Sequence, residues 1–333
     1  DYAKEALRLH AKWNGKLETV PKMKIENRDD LSIAYTPGVA APCLEIEKDK
    51  KNSYVYTGRA HTVAVISDGS EGLGLGNIGP EAGMPVMEGK AALFKTFGDV
   101  DAVPVCLDTK DPDEFIRTVK LLQPNYAGVN LEDISSPKCY EIEDKLKEIC
   151  DIPVFHDDQH GTAIACLSAV LGALRFVKKD IATAKFVVNG CGAAGSAIGR
   201  LLVNMGAQNV IMVDRFGALY EGIDAKLDRI QSYLATVTNK EHKQGTLADV
   251  AKGADVMIGA SAPNVFTKEI MQSMADKAIV FALANPVPET SYDAAKEAGV
   301  AVAGTGRSDR PNQVNNVTVF PGVFRGAIDV RAK

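Results

Sequence analysis

Cysteine is scarce in this chain of 333 residues, which contains six, and none of them forms a C-x-x-C pair or follows a regular spacing. Disulfide-rich secreted domains and zinc-binding modules both depend on such spacings, so the sequence indicates neither class. We expect reduced, mostly structural thiols and a cytoplasmic location.

An excess of positive charge and a long apolar run are also lacking. The 38 basic residues are balanced by 43 acidic ones, and the formal net charge of −5 gives no footprint for nucleic acid or an anionic membrane. The longest uncharged apolar stretch, 162–174, is shorter than the roughly 20 residues of a membrane-spanning helix. We expect a small-molecule partner, with no nucleic acid and no membrane partner. The chain starts at Asp1 rather than Met, which leaves an upstream targeting segment open.

Short β-rich runs alternate with helical patterns through the first half of the chain. The runs lie at 61–67, 101–108, 126–133 and 152–158. Strands that alternate with helices predict a parallel sheet with helical crossovers. Asp111 followed by Pro112 is typical of a helix start, and the segment 135–150 has the same design.

A second series of such runs follows a predicted helix at 162–177. It begins with the unit 184–217 and continues at 254–261, 278–286 and 300–306. We therefore predict an α/β protein of two domains, residues 1–160 and residues 161–333, each built on a mostly parallel sheet.

The stretch Gly190–Gly195 matches G-x-G-x-x-G in the context that gives this motif its meaning. It follows the run KFVVN, opens a helical pattern, and precedes a second run that ends in Asp214. Such glycines let the backbone approach a pyrophosphate at a helix N-terminus, and the acid reaches a ribose hydroxyl. The stretch predicts a Rossmann-type NAD(P) site, with NAD favoured over NADP, although Arg215 could instead pair with the 2′-phosphate of NADP.

A second match, Gly74–Gly79, leads into Pro80 with no helix pattern opening on it. We interpret it as an active-site or packing turn.

Acidic residues stand where two of the predicted strands stop. Glu132 and Asp133 follow one strand, and Asp157 and Asp158 follow the next. Ligands bind outside the carboxyl ends of parallel strands, so Glu132, Asp133 and one of the other two should converge. Three carboxylates need a cation between them, and all-oxygen ligation suits Mg²⁺ or Mn²⁺ rather than zinc.

His156 and His160 flank the second acidic pair and are rival ligands, because a His/Asp set would suit zinc. A histidine at a strand end is more often a core residue or a partner of the ligands.

Eight blocks of the sequence resemble the malic enzyme family, in its short bacterial-type form. They occur in the family's order and extend over nearly the whole chain. The blocks are LSIAYTPGVA (31–40), LGLGNIG (73–79), PVMEGKAALF (85–94), NLEDI (130–134), FHDDQHGTA (155–163), the fingerprint at 190–195, LANPVPE (283–289) and NQVNNVTVFPG (312–322).

The resemblance implies oxidative decarboxylation of (S)-malate to pyruvate and CO2, with NAD(P) and with Mn²⁺ or Mg²⁺. It implies an α/β malic domain followed by a Rossmann-type NAD(P)-binding domain, in a homodimer. The matching positions are Glu132, Asp133 and Asp158 for the metal, Tyr35 for the general acid, Lys90 for the general base, Asn285 and Asn315 near substrate and nicotinamide, and Gly190, Gly192, Ala193, Ala194, Gly195 and Asp214 for the cofactor.

These roles fit the chemistry of the reaction. A lysine that takes the proton of the C2 hydroxyl must be neutral, and a nearby cation and partial desolvation both lower its pKa. The cation polarises the new C2 carbonyl so that CO2 can leave. A phenol can then protonate C3 of enolpyruvate.

One departure from the family and two rival functions remain. Glu71 and Gly72 stand where the animal enzymes have an arginine that grips a malate carboxylate, so the substrate must be held differently, for instance by the asparagines.

A plain 2-hydroxy-acid or amino-acid dehydrogenase would need no metal. A catalytically silent nucleotide sensor would not need Tyr35 and Lys90.

Overall fold

Four parallel strands form the first sheet of the computed structural model, which describes residues 2–72 and 75–333. Their order is β2-β1-β3-β4, and Val63 of the central strand is in register with Ala102 and Gly128. Each strand lies within a predicted run, so the predicted parallel sheet is confirmed. The strands are β1 (Thr62–Ser67), β2 (Asp101–Cys106), β3 (Gly128–Leu131) and β4 (Val154–His156).

The helices of this first half are α1 (Tyr2–Trp13), α2 (Arg28–Ala34), α3 (Ala40–Lys48), α4 (Ser53–Tyr56), α5 (Pro80–Gly98), α6 (Pro112–Leu122) and α7 (Lys138–Ile149). The predicted start of α6 is confirmed, because the Asp111 side chain accepts a hydrogen bond from the Asp113 amide at 2.9 Å. The same design was wrong for α7. Pro137 takes the N-cap position there, and its side chain offers no acceptor.

The second sheet has six strands in the order β10-β9-β8-β5-β6-β7, all parallel except the short edge strand β7. The strands are β5 (Lys185–Asn189), β6 (Asn209–Asp214), β7 (Gly217–Ala218), β8 (Val256–Gly259), β9 (Ile279–Ala282) and β10 (Val302–Thr305). The remaining helices are α8 (Asp157–Val177), α9 (Ala193–Asn204), α10 (Arg229–Val237), α11 (Leu247–Val250), α12 (Lys268–Gln272), α13 (Tyr292–Glu297) and α14 (Phe320–Asp329). The predicted α/β class, with a Rossmann-type second sheet, is confirmed.

Helix α8 joins the two sheets and begins five residues earlier than predicted. Asp157 and Asp158 therefore occupy its first turn instead of ending a strand. By length and composition, α8 could cross a membrane. One face of α8 instead packs in a core that includes Leu131 of β3, Val170 of α8 and Val188 of β5, as in a core helix of a globular domain.

The first glycine-rich match also differs from the prediction. Gly74 lies outside the described residues, but a helix does open there, since α5 begins at Pro80 with Gly79 as its N-cap. The loop is tightly packed: a Cβ at Gly69, whose φ is +65°, would come within 2.1 Å of the Gly79 carbonyl oxygen. The reading as a packing turn fits this contact.

The C-terminal helix α14 packs on the first sheet instead of the second. Phe94 of α5 contacts the rings of Phe320 and Phe324 at centroid distances of 4.7 and 5.2 Å. Phe155 contacts Phe324 at 5.7 Å. The expected domain boundary after residue 160 falls inside α8 and stays a prediction.

Replacing the central ring of this aromatic cluster should destabilise the fold. Phe94 is fully buried, so Phe94→Ala should lower the free energy of unfolding by about 3–5 kcal/mol, the usual cost of a large core deletion. Phe97→Ala, on the same helix at a residue 64% exposed, should cost less than about 1 kcal/mol. Urea denaturation monitored by circular dichroism measures both, and equal midpoints for the two variants would contradict the packing described.

Candidate active site

A cavity of about 760 Å³ opens where the carboxyl ends of the two sheets face each other. Parallel sheets place their ligand sites at this edge. Its polar and backbone lining includes Lys16, Glu71, Lys90, Glu132, Asp133, Asp158, Gly192, Ala193, Ala194, Ser261, Asn285 and Asn315. Residues that the sequence assigned to metal, base, cofactor and substrate thus line one space.

Three carboxylates converge at one wall of this cavity. Each of Glu132, Asp133 and Asp158 offers one oxygen within 4.8 Å of the others, the only such group of three among the described residues. Glu132 and Asp133 directly follow β3, and the Asp133 amide donates to Asp158 Oδ2 at 2.9 Å. Asp133 has a left-handed φ of +53°, a costly conformation for a non-glycine residue that functional sites often contain.

The electrostatics of this group fit a divalent cation. Burial, together with the nearby Asp158 and against the opposing effect of Lys90, raises the pKa of Glu132 to about 7. Desolvation likewise raises the pKa of Asp158 to about 6. Carboxyl groups that resist ionisation together are stabilised as anions by a hard cation, and three oxygen ligands suit Mg²⁺ or Mn²⁺.

Neither rival histidine belongs to the carboxylate group. His156 is fully buried, and burial lowers its pKa to about 4, so its imidazole is neutral. His160 points the other way, with Nε2 2.8 Å from Glu143 Oε2. His156 Nε2 does lie 3.5 Å from Asp158 Oδ2, but the group whose oxygens converge consists of carboxylates alone.

The two adjacent aspartates at the start of α8 have different partners. Asp158 joins the carboxylate group, whereas Asp157 turns inward and accepts a hydrogen bond from Lys90 Nζ. Gly161 makes room for this carboxylate, because a Cβ there would lie 1.8 Å from Asp157 Oδ1. Burial raises the pKa of Asp157 to about 6.

Lys90 is buried between carboxylates, and the expectation that a nearby cation lowers its pKa stays a prediction. Its Nζ lies 2.9 Å from Glu132 Oε1 and 4.2 Å from the ring centroid of Phe320, besides its contact with Asp157. Burial alone would lower the pKa of Lys90, but Asp157, Glu132 and Asp158 together outweigh this effect and the net pKa is raised. With the protein groups alone, Lys90 is charged and not neutral.

Sequence reasoning missed Glu143, a buried carboxylate on α7 that holds the start of α8. It accepts hydrogen bonds from the His156 amide at 3.0 Å and from Gln159 Nε2 at 3.1 Å, and it pairs with Lys147 at 2.8 Å. The available signal was its position three or four residues from Cys139, Tyr140 and Leu146 on the apolar face of α7. A charged residue on the buried face of a helix indicates that it binds a structural or functional partner.

The glycine fingerprint between β5 and α9 has a distinct geometry at each position. Gly190 has φ +109°, and its Cβ would lie 2.2 Å from the Ala260 carbonyl oxygen. A Cβ at Gly195 would lie 1.9 Å from the Gly190 carbonyl oxygen, whereas Gly192 has open space before it and lines the cavity. Gly190 thus makes the tight turn, Gly195 permits close packing, and Gly192 leaves open backbone for a ligand, as in a dinucleotide site.

Asp214 ends β6 with its carboxylate held in place. It accepts hydrogen bonds from the Arg215 amide at 2.7 Å and from Gln231 Nε2 at 2.9 Å. The Arg215 residue is exposed. The acid is thus fixed at the strand end where a ribose hydroxyl would reach it.

Two asparagines predicted near the substrate line the cavity, and one tyrosine does not. Asn315 donates to the Gly306 carbonyl at 3.3 Å, and Asn285 stands beside it in the lining. Glu71, at the position of the missing arginine, lines the cavity too, and its amide donates to the Asp133 carbonyl at 3.1 Å. Tyr35 lies at the end of α2 with 68% of its surface exposed, outside the described cavity lining.

Comparison with known proteins agrees with this arrangement. The family model for the malic enzyme N-terminal domain matches residues 14–147, and the model for the malic enzyme NAD binding domain matches residues 159–333. A bifunctional malic/malolactic enzyme of Bacillus subtilis is 53% identical over 98% of this chain, which spans 80% of that relative. An NADP-dependent malic enzyme of Escherichia coli is 49% identical over 96% of the chain, which spans 42% of it.

Solved structures give the same result. A crystal structure of an NAD-dependent malic enzyme from Thermotoga maritima superimposes with a TM-score of 0.96, at 47% identity, over 98% of this chain and 87% of that one. The two family models together match most of the sequence, and the resemblance read from its motifs is confirmed. The chain belongs to the malic enzyme family.

Proposed function

We propose that this protein oxidises (S)-malate and decarboxylates it to pyruvate and CO2, using NAD in preference to NADP and requiring Mn²⁺ or Mg²⁺. In this proposal residues 1–160 bind malate and the cation, residues 161–333 bind the nucleotide, and the protein is a cytoplasmic homodimer. The observation that carries the proposal is a single cavity lined by three convergent carboxylates, a buried lysine and the open backbone of a dinucleotide fingerprint. A plain dehydrogenase would need only the last of these.

Lys90 is the group that takes the proton of the C2 hydroxyl as hydride leaves C2. A base must accept a proton, so the lysine must first lose one, and its hydrogen bond to Asp157 Oδ2 gives that proton an acceptor. Glu132 is one of the three carboxylates, with Asp157 and Asp158, that raise the pKa of Lys90. Neutralising the Glu132 charge by cation binding would therefore lower the pKa of Lys90 towards the range of a working base.

Decarboxylation follows on the same substrate. When bound, Mn²⁺ or Mg²⁺ supplies a positive charge that polarises the oxygen on C2. Glu132, Asp133 and Asp158 would hold it, while Asn285 and Asn315 would hold the substrate amid apolar residues that limit water. Tyr35 then supplies a proton to C3 of the enol of pyruvate.

Removing one carboxylate of the cation site should remove the metal-dependent reaction. Wild-type protein should form NADH from malate only when Mn²⁺ or Mg²⁺ is present, and Asp158→Asn should weaken Mn²⁺ binding or turnover by at least about 100-fold, since a neutral amide is a poor ligand. Asp151→Asn, at an exposed carboxylate with a side chain 73% accessible, is the control. NADH absorbance and Mn²⁺ calorimetry test this, and unchanged values for Asp158→Asn would refute the assignment.

The fixed carboxylate at the end of β6 should set the nucleotide preference. Asp214 would repel the 2′-phosphate of NADP, so NAD should have the higher kcat/KM, and Asp214→Ser should shift the ratio towards NADP by roughly tenfold or more. Asp276→Ser, at an exposed residue, should leave the ratio unchanged. A wild-type preference for NADP would mean that Arg215 determines the specificity instead.

Lys90 and Tyr35 should act in different halves of the reaction. Lys90→Ala should abolish malate oxidation and also oxaloacetate reduction, because both share the hydride-transfer transition state. Tyr35→Phe should slow pyruvate formation but spare oxaloacetate reduction. Each loss should be on the order of 10²–10⁴-fold in its own step.

Exchange of the pyruvate methyl protons with solvent deuterium isolates the second half of the reaction. Lys95→Ala on α5, with a side chain 58% exposed, and Tyr56→Phe on α4 serve as matched controls and should behave like wild type. If Tyr35→Phe exchanges at the wild-type rate yet cannot reduce oxaloacetate, the division of roles is wrong.

A further inference from the structure

Lys16 is a half-buried lysine of the cavity lining to which the proposed reaction gives no role. It follows α1 in a turn where Gly15 has a left-handed φ of +97°. The Lys16 amide donates to Glu88 Oε2 at 3.0 Å, and Lys16 Nζ donates to the Pro85 carbonyl at 2.7 Å. Both partners belong to α5, so the backbone and the ammonium group of Lys16 are held against the helix that carries Lys90.

Within the described residues, 2–72 and 75–333, the ammonium group of Lys16 has no carboxylate partner. Glu88, the acid beside it, binds the backbone amide of Lys16 instead. Burial lowers the pKa of Lys16 against the opposing effect of Glu88, so the ammonium group is partly removed from water. An anion placed beside such a cation would stabilise its charge.

The other lysine of the lining is already engaged. The described lining contains four carboxylates, two lysines and no arginine. Lys90 Nζ lies 2.9 Å from Glu132 Oε1 and also binds the carboxylate of Asp157. Of these two ammonium groups, that of Lys16 is therefore the one available to pair with an anionic substrate.

Malate carries two carboxylates, and the proposed reaction treats them differently. Cleavage of the C3–C4 bond releases C4 as neutral CO2, while the electron pair of that bond stays with C3. A fixed positive charge against the C4 carboxylate would stabilise the charge that must disappear, and so oppose cleavage. The C1 carboxylate keeps its charge in malate, oxaloacetate and pyruvate. A permanent ammonium group therefore suits C1.

We propose that the ammonium group of Lys16 binds the C1 carboxylate of malate in an ion pair. The inference rests on the proposed function, which supplies the substrate. Asn285 and Asn315, neutral amides in the same lining, are left for the C4 carboxylate. Because the C1 charge is the same before and during the reaction, the ion pair lowers KM without raising kcat.

Replacing Lys16 by methionine removes the charge and keeps a long side chain. The hydrogen bond to Glu88 is made by the backbone and stays available in Lys16→Met. KM for malate should rise about 10- to 100-fold, the usual worth of a hydrogen-bonded charge, with kcat within about threefold of wild type. KM for NAD and Kd for Mn²⁺ should not change. Lys12→Met, at an exposed lysine of α1, is the matched control in the same steady-state kinetics.

Pyruvate distinguishes the two carboxylates, because it retains C1 and lacks C4. If Lys16 holds C1, half-maximal exchange of the pyruvate methyl protons should need about 10- to 100-fold more pyruvate in Lys16→Met. A raised KM for malate with an unchanged dependence on pyruvate overturns the proposal, since the ammonium group then holds C4. A fall in kcat with an unchanged KM overturns it too, as do wild-type values of both.

Titration calorimetry of pyruvate separates this inference from the proposed function, because it needs no turnover. With saturating Mn²⁺ and NADH and without CO2, wild-type protein should bind pyruvate about 10- to 100-fold more tightly than Lys16→Met. Equal affinities, or no binding by the wild type, overturn the inference. If the wild type shows this difference but forms no pyruvate from malate, the contact with C1 is supported and the proposed function is rejected.

Discussion

The candidate active site depends on buried carboxylates, whose negative charges are poorly screened by water. Glu132 and Asp157 are both buried, and burial raises the pKa of each, to about 7 and about 6. Between them lies one ammonium group, that of Lys90. Like charges at low dielectric repel strongly, so this arrangement needs positive charge from Lys90, from a cation, or from both. In the proposed mechanism, the carboxylates that attract the cation also determine whether Lys90 is protonated.

Elements from different parts of the chain offset the free-energy cost of burying these charges. The first turn of α8 carries both aspartates, and the positive end of a helix dipole stabilises carboxylates there. Glu143 fixes the same turn through the His156 amide and Gln159. The helix α14 brings Phe320 against Lys90, where an aromatic face favours the charged form. Residues more than 150 positions apart in sequence thus stabilise one ion pair.

Much of the fold and of the candidate site could be predicted from the sequence, because the sequence patterns that indicate them are local. Strand positions follow from apolar runs, the glycine fingerprint from a strand, three glycines and an acid in order, and the convergence of three carboxylates from acidic residues that follow two predicted strands. The start of α8 was missed because HDD continues the strand-like run before it. The state of Lys90 and the place of Tyr35 could not be read locally, since both depend on packing between distant segments.

The charge on Lys90 links cation binding to catalysis on the proposed mechanism. Without the cation, three carboxylates raise the pKa of Lys90, so the lysine stays protonated and cannot accept the hydroxyl proton of malate. With Glu132 engaged by the cation, one of those causes disappears while burial, which lowers the pKa of Lys90, remains. The base would therefore become available only in a site that already holds the charge needed to polarise C2. Cation binding would then provide both a neutral Lys90 and the positive charge that polarises C2. A site without the cation would be inactive in both halves of the reaction.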